Sequence, residues 1–281
     1  MINDEEMVLK NKETNMKIKR ILMIVLSIIS AAALMGIIPA CNRSSSEKEA
    51  DSGLKYVAHR GYSHSFLGNT EGAFRAAASR GFYGIETDIR KTKDGYFVCN
   101  HDATVEYADG TTKKISTSKR SALLAQPLKN DKTSNDVYLC TFETYLQACK
   151  DGNKVAVIEL KDYFDEDDVA TILQIIDNEY DRKKVMFISF YYPPLMEVRK
   201  ADATIGLQYL SQTEGDTLFE RCITDRVSID IRQNLLTEEL VKTFHDAGLK
   251  VNVWTVNTEA DLEDAMHYGV DYVTTDIFYA D

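Results

Sequence analysis

From residue 56 onward the chain alternates two apolar patterns. Short runs rich in β-branched residues fall at 56–59, 84–90, 155–160, 185–189, 204–210, 226–230, 250–255 and 271–275, each the length of a strand. Between most of them apolar residues recur every three to four positions, over 70–80, 165–180, 193–200, 216–223, 237–247 and 258–268, the spacing of one helix face. Asn69 is expected to cap the first helix. Eight strands separated by helices predict an α/β fold of the TIM (β/α)8 barrel type. An open doubly wound sheet would share the alternation, but no glycine-rich phosphate loop follows the first strand.

One segment breaks the rhythm. In "ETDIRKTKDGYFVCNHD", residues 86–102, Asp94-Gly95 separates two alternating runs, which predicts a β-hairpin after strand 2. A two-residue turn there would pair Lys93 with Tyr96, Arg90 with Cys99, and Asp88 with His101. Residues 103–140 show no clear period and read as a small insertion over the barrel mouth, before a helix at 141–150.

The first part of the chain has a different character. "MKIKR" from Met16, an apolar stretch, and Ile38-Pro39-Ala40-Cys41 form an export signal whose end resembles a bacterial lipobox. Residues 1–41 are therefore read as a signal peptide with lipidation at Cys41, or alternatively an uncleaved membrane anchor. Residues 42–53 are read as a polar tether and 54–281 as the folded domain. Lys17, Lys19 and Arg20 would stay inside, so the domain is expected outside the cytoplasm, anchored to the bacterial cell membrane. Cys99, Cys140, Cys149 and Cys222 would permit one or two disulfides in such a compartment, although each lies in an apolar or helical stretch that suits a buried thiol. A formal net charge of −11 argues against a nucleic-acid partner, and means that an anionic substrate needs a metal ion or a local cluster of Arg and Lys. Composition leaves the oligomeric state open.

Barrel enzymes keep their chemistry at the C-terminal ends of the strands. Strand one ends in His59-Arg60, strand two carries Glu86 and Asp88, the hairpin returns His101, and the strand at 155–160 carries Glu159 and leads into Lys161. Residues two apart share a face of a strand, so three acids, two histidines and two cations should converge. Glu86, Asp88 and Glu159 make a hard oxygen set for a divalent ion, Mg²⁺ or Ca²⁺. His59 and His101 suit a general base and general acid, Arg60 and Lys161 would bind phosphate, and phosphodiester hydrolysis uses all three sets. Spacing alone leaves the order within the histidine pair open, with His59 favoured as base and His101 as acid. Trp254 is either barrel packing or a platform at the substrate rim. Phe66, Tyr107, Tyr191 and Tyr192 are read the same way, and His64, His245 and His267 as surface or packing positions.

The ordered set "AHRG", "NTEGAF", "ETDIRKTKDGYFVCNHD", "IELK", "ISF", "VNVWTVN" and "GVDYVTTD" resembles the glycerophosphodiester phosphodiesterases over nearly the whole domain. The resemblance implies a TIM barrel and metal-dependent hydrolysis of glycerophosphodiesters to glycerol 3-phosphate and an alcohol. It also implies acid–base catalysis by His59 and His101, metal ligation by Glu86, Asp88 and Glu159, and phosphate binding by Arg60 and Lys161. The family usually has Pro-Glu before the Asn-Thr pair, whereas Leu67-Gly68 stand here, removing one acidic group near the mouth. Two other readings use the same residues. One is a lipid phosphodiesterase of phospholipase C or D type, which needs a broad apolar rim; the other is a non-catalytic phosphodiester-binding lipoprotein, which would be expected to lose a histidine.

Overall fold

A computed structural model describes residues 53–279, and the expected signal, lipobox and most of the tether lie outside the described residues. The strands are β1 (Lys55–Ala58), β2 (Gly84–Lys91), β3 (Phe97–Cys99), β4 (Thr104–Glu106), β5 (Thr112–Lys114), β6 (Cys140–Thr141), β7 (Val155–Leu160), β8 (Val185–Ser189), β9 (Gly206–Ser211), β10 (Ser228–Arg232), β11 (Val251–Trp254) and β12 (Tyr272–Thr275). β1, β2 and β7 to β12 pair in parallel, and β1 meets both β2 and β12, so the sheet closes into the expected barrel. Closure satisfies the sheet edges that an open array would leave. Helices Glu71–Ala78, Phe142–Asp151, Glu166–Glu179, Tyr192–Ala201, Phe219–Thr224, Glu238–Asp246 and Glu259–Tyr268 lie between the strands.

Two apolar layers hold this arrangement. Outward-facing strand residues such as Ile85, Ile158, Ile229 and Val253 are buried against helix residues such as Phe74, Leu146, Ile172 and Phe244. Inside the barrel Val57, Val157, Ile188, Leu210 and Tyr272 form a smaller core. The period-2 alternation of the strands feeds both layers at once. Among the described residues no helix is long and apolar enough to cross a membrane. Cys99, Cys140, Cys149 and Cys222 are all free and buried, in keeping with the packing reading.

Two local expectations are corrected. The hairpin exists, but its register pairs Ile89 with Cys99, Arg90 with Val98 and Lys91 with Phe97. Thr92 N–H donates to Tyr96 C=O and Gly95 sits at φ 83°, so the loop has three residues, Lys93-Asp94-Gly95, rather than two. Asp88 therefore bonds through its carbonyl to Asn100 N–H, and His101 lies one residue past the expected pairing. The first helix is capped by Thr70, whose Oγ1 accepts from Ala73 N–H, while Asn69 takes a left-handed φ of 59° and turns its amide toward β2.

The insertion is more ordered than its composition implied. β4 pairs with β5, and Val105, Tyr107, Ile115, Leu123, Leu128 and Leu139 bury a separate core with Val98 of β3. Tyr107 is thus a packing residue, as is Tyr192 on the outer face of the barrel.

The tip of β1 needs a glycine. Arg60 and Gly61 both lie in the left-handed region, at φ 56° and 80°, and a Cβ on Gly61 would stand 2.6 Å from the Ala73 carbonyl carbon. Gly95, at φ 83°, has open space around the equivalent position. Gly61→Ala is therefore expected to destabilise by about 1–3 kcal/mol, from strain and collision together, and Gly95→Ala by about 1 kcal/mol from the backbone alone. Denaturant unfolding of both variants measures this, and equal losses would refute the close approach.

Candidate active site

The mouth of the barrel encloses a cavity of about 540 Å³. Its walls include His59, Arg60, Glu86, His101, Glu159, Lys161 and Trp254, seven of the eight residues singled out from sequence. The eighth, Asp88, is buried beside them.

β2 and β7 are paired with Asp88 opposite Glu159, and Glu86 lies two residues earlier on β2. Oxygen atoms of Glu86, Asp88 and Glu159 lie within 4.8 Å of one another, and all three residues are buried. At that separation two full charges repel by at least about 3 kcal/mol at an effective dielectric near ~20, so without a cation the set holds protons. Burial, reinforced by the charges of Asp88 and Glu159, pushes the Glu86 carboxyl well up. Burial and the Asp88 charge likewise push Glu159 up to about 8. For Asp88, burial acts upward but is outweighed by Arg60, Lys161 and Asn69, leaving its carboxyl below the ordinary range. Three clustered oxygens starved of positive charge fit a hard divalent cation.

The protein supplies part of the missing charge. Arg60 N–H donates to Glu86 Oε2 at 2.7 Å, which the left-handed backbone at Arg60 makes possible. Lys161 Nζ lies 3.1 Å from Glu159 Oε1 and 3.5 Å from Asp88 Oδ1. Arg60 Nε lies 3.3 Å from Asp88 Oδ2, yet this buried N–H has no aligned acceptor. Asn69 Nδ2 donates to Asp88 Oδ2 at 2.7 Å, and Asn69 Oδ1 accepts from Thr87 Oγ1 and Asp88 N–H. The amide thus fixes the carboxylate's orientation, a role hidden behind the capping signal in "NTEGAF". Gly68 stands where the missing glutamate would be, and a Cβ there would lie 3.0 Å from Arg60 Cβ.

The two histidines occupy different environments. His59 Nδ1–H donates to Asp276 Oδ1 at 2.7 Å. That carboxylate also accepts from Ser63 Oγ at 2.7 Å and, through Oδ2, from Asn257 Nδ2 at 2.6 Å. Burial pushes the Asp276 carboxyl up, but His59, Ser63 and Asn257 outweigh it and hold the group well below the usual carboxylate range. His101 is more exposed and bonds through Nδ1 to Asp102 Oδ1 at 2.8 Å. Burial, and then the Arg60 charge, lower its basicity, so the ring is neutral near pH 7. Its backbone carbonyl accepts from Arg90 Nη2 at 2.6 Å and Nε at 3.0 Å, while Arg90 Nη1 donates to Asp162 at 2.6 Å. Asp276 and Arg90 went unassigned in the sequence, although both lie inside motifs quoted for the resemblance.

Trp254 packs within the barrel and also stands on the cavity wall. Its indole N–H donates to Asp230 C=O at 3.3 Å, its ring meets Phe190 edge-on at 5.6 Å, and it is half-buried at the cavity wall. Tyr191 lines the same cavity, whereas Phe66 lines a different one beside the insertion.

Comparison with known proteins agrees with this geometry. The model of the glycerophosphoryl diester phosphodiesterase family matches residues 59–278. A glycerophosphodiester phosphodiesterase of Caldanaerobacter subterraneus is 26% identical over 227 residues, covering 78% of this chain and 93% of that protein. The crystal structure of a glycerophosphodiester phosphodiesterase from Parabacteroides distasonis superposes with a TM-score of 0.69 at 26% identity, covering 80% of this chain and 93% of that one. An Oleispira antarctica phosphodiesterase, crystallised with its product sn-glycerol-3-phosphate, shares the fold with a TM-score of 0.71 at 21% identity, covering 79% and 92% of the two chains.

The acid cluster makes stability depend on pH in a stated direction. Unfolded, Glu159 releases its proton near the ordinary glutamate value of 4.5; folded, it holds it until about pH 8. Between those limits the native state binds more protons, so the stability of the metal-free chain falls as pH rises. Asp88 and Asp276, shifted down, act the opposite way and only below about pH 4. Thermal melts of the metal-free chain should therefore show Tm declining from about pH 5 to pH 8, less steeply in Glu159→Gln. By calorimetry a divalent cation should bind the native chain at least about tenfold more tightly than the variant, since a charged ligand is lost. Equal affinities would remove Glu159 from the ligand set.

Proposed function

The chain belongs to the glycerophosphoryl diester phosphodiesterase family and is a phosphodiesterase of glycerophosphodiesters, and from that premise we propose how its own residues perform the hydrolysis to glycerol 3-phosphate and an alcohol. Glu86, Asp88 and Glu159 would hold a divalent ion, Mg²⁺ or Ca²⁺, which when bound polarises a phosphoryl oxygen. Arg60 and Lys161 bind the phosphate, and the buried Arg60 Nε without an acceptor supports this, because a phosphate oxygen would satisfy it. The observation that carries the proposal is the convergence of both histidines, both cations and the acids on one cavity.

The environments of the two rings support an order for the proton transfers. His101, neutral near pH 7, accepts the proton of the glycerol hydroxyl next to the phosphate as its oxygen attacks phosphorus. His59, oriented by its hydrogen bond to Asp276, donates to the departing alcohol oxygen as the P–O bond breaks. Water then opens the resulting cyclic phosphate, with His59 taking the water proton and His101 returning its own to the hydroxyl. This order reverses the one favoured from sequence position. Of the exposed large hydrophobic side chains among the described residues, Tyr96, Tyr138, Tyr163, Tyr191 and Met266, only Tyr191 lines the cavity, which supports a small water-soluble diester over an intact lipid.

A leaving group that needs no proton separates the roles. His59→Ala and His101→Ala should each lose about 10²–10⁴ in kcat on glycerophosphocholine. On the p-nitrophenyl ester of glycerol phosphate, His59→Ala should recover most of that loss while His101→Ala should not. Recovery by His101→Ala alone would restore the other order, and recovery by neither would assign both rings to positioning.

We also propose that the mature protein is an extracytoplasmic lipoprotein anchored at Cys41, on the strength of the cationic segment, apolar stretch and lipobox in the sequence. Native protein should then sediment with membranes and Cys41→Ser should remain unprocessed. Identical release of both into the soluble extracytoplasmic fraction would count against an anchor.

A further inference from the structure

The cavity contains one acid that neither the metal set nor the acid–base pair uses. Asp230 projects inward from β10, is 1% exposed, and lines the cavity. In the closed barrel β10 is the strand diametrically across from β2, so Asp230 faces the acid cluster from the opposite wall. Its Oδ1 is buried with no hydrogen-bond partner. The neighbouring acids are engaged, Glu86 by Arg60 N–H and Glu159 by Lys161. A buried carboxyl oxygen left without a donor costs free energy, and proteins retain such a group where a ligand completes it.

The surroundings define the ligand. Leu210 and Asn252 flank Asp230 on the neighbouring strands, Ile188 adds apolar wall to the same cavity, and Thr274 and Gln212 add polar groups. Asn252 Nδ2 donates to Thr274 Oγ1 at 3.0 Å and to Gln208 Oε1 at 3.3 Å, while the Trp254 indole donates to the Asp230 carbonyl. These groups bond to one another and leave Asp230 Oδ1 open. Arg60, Arg90 and Lys161 line the same cavity and disfavour a cationic headgroup at this depth. What fits is a neutral hydroxyl on a short carbon chain.

We propose that Asp230 binds the terminal hydroxyl of the glycerol moiety, so that the glycerol end of the diester enters toward the barrel floor and the alcohol group stays at the mouth. The inference rests on the phosphodiesterase reading above and deepens it. Of the two free glycerol hydroxyls in the substrate, the one beside the phosphate is consumed in attack. The terminal one is left to be recognised, and Asp230 makes that recognition a specificity determinant separate from the chemistry.

The test compares glycerophosphocholine with 2-hydroxypropyl phosphocholine, which keeps the attacking hydroxyl and lacks the terminal one. The native chain should prefer glycerophosphocholine by about 10–100-fold in kcat/KM, the range for a hydrogen bond to a buried charged or polar partner. In Asp230→Ala the preference should collapse to within about threefold, and Asp230→Asn, which keeps an acceptor, should retain most of it. Because the readout is a ratio, a general loss of activity or stability moves both substrates alike. A native chain that does not discriminate, or an Asp230→Ala variant that discriminates as the native does, overturns the subsite while leaving the phosphodiesterase reading intact. Turnover of neither ester by the native chain overturns that reading, and the subsite with it.

Discussion

Three carboxylates held inside one barrel are the constraint on which the rest of the site depends. Glu86, Asp88 and Glu159 stand close enough to repel strongly, and burial denies them water. Folding still places them there because β2 and β7 must pair in parallel, and the pairing sets Asp88 against Glu159. Each nearby feature that breaks a local rule answers this cost. Arg60 takes a left-handed backbone to aim its N–H at Glu86, Gly61 follows because a Cβ has no room, and Asn69 leaves its helix to Thr70 in order to hold Asp88. Lys161 gives up solvent to lie between two of the acids. Local strain concentrated around one charge cluster is what a preorganised site looks like when its counterion comes from outside.

The barrel was legible because its signal is redundant. All eight parallel strands fall within about two residues of where the apolar runs put them, since both faces of each strand are buried and the pattern is dense. That the seven candidate residues besides Trp254 gather at one cavity was legible for a related reason: each lies on or just past a strand of the barrel or hairpin, where spacing of two fixes the face. Trp254 was left between packing and a place at the rim, and the structure packs it against Phe190 on the cavity wall.

What was not legible depends on choices that local sequence leaves degenerate. Asp94-Gly95 supports a two-residue turn and a three-residue loop equally well, and the register that decides between them is set by β3 packing on β2 and β6. Asn69 and Thr70 are both competent caps, and only the buried carboxylate across the chain selects which one turns inward. The insertion has no period because its core is assembled from single residues on short pieces, among them Val105, Ile115, Leu123 and Leu139. Asp230 reads in sequence as one more inward strand position, and only its lack of a donor marks it as unfinished.

The pairing of His59 with Asp276 shows why some of the site had to be invisible in a linear reading. The two residues are 217 positions apart, and each stands just past the end of its strand, β1 and β12. Those are the first and last strands, and they touch only because the barrel closes. His59 N–H also donates to Thr275 C=O at 2.9 Å, so the backbone that carries the histidine is tied to the residue before the carboxylate. The carboxylate that His59 bonds is therefore brought to it by closure of the sheet. A chain with β12 detached would keep its acids, its arginine and both histidines, and still lack the environment that makes the two rings different from each other. The difference between the surroundings of the two rings is a property of the closed barrel rather than of either histidine's own segment.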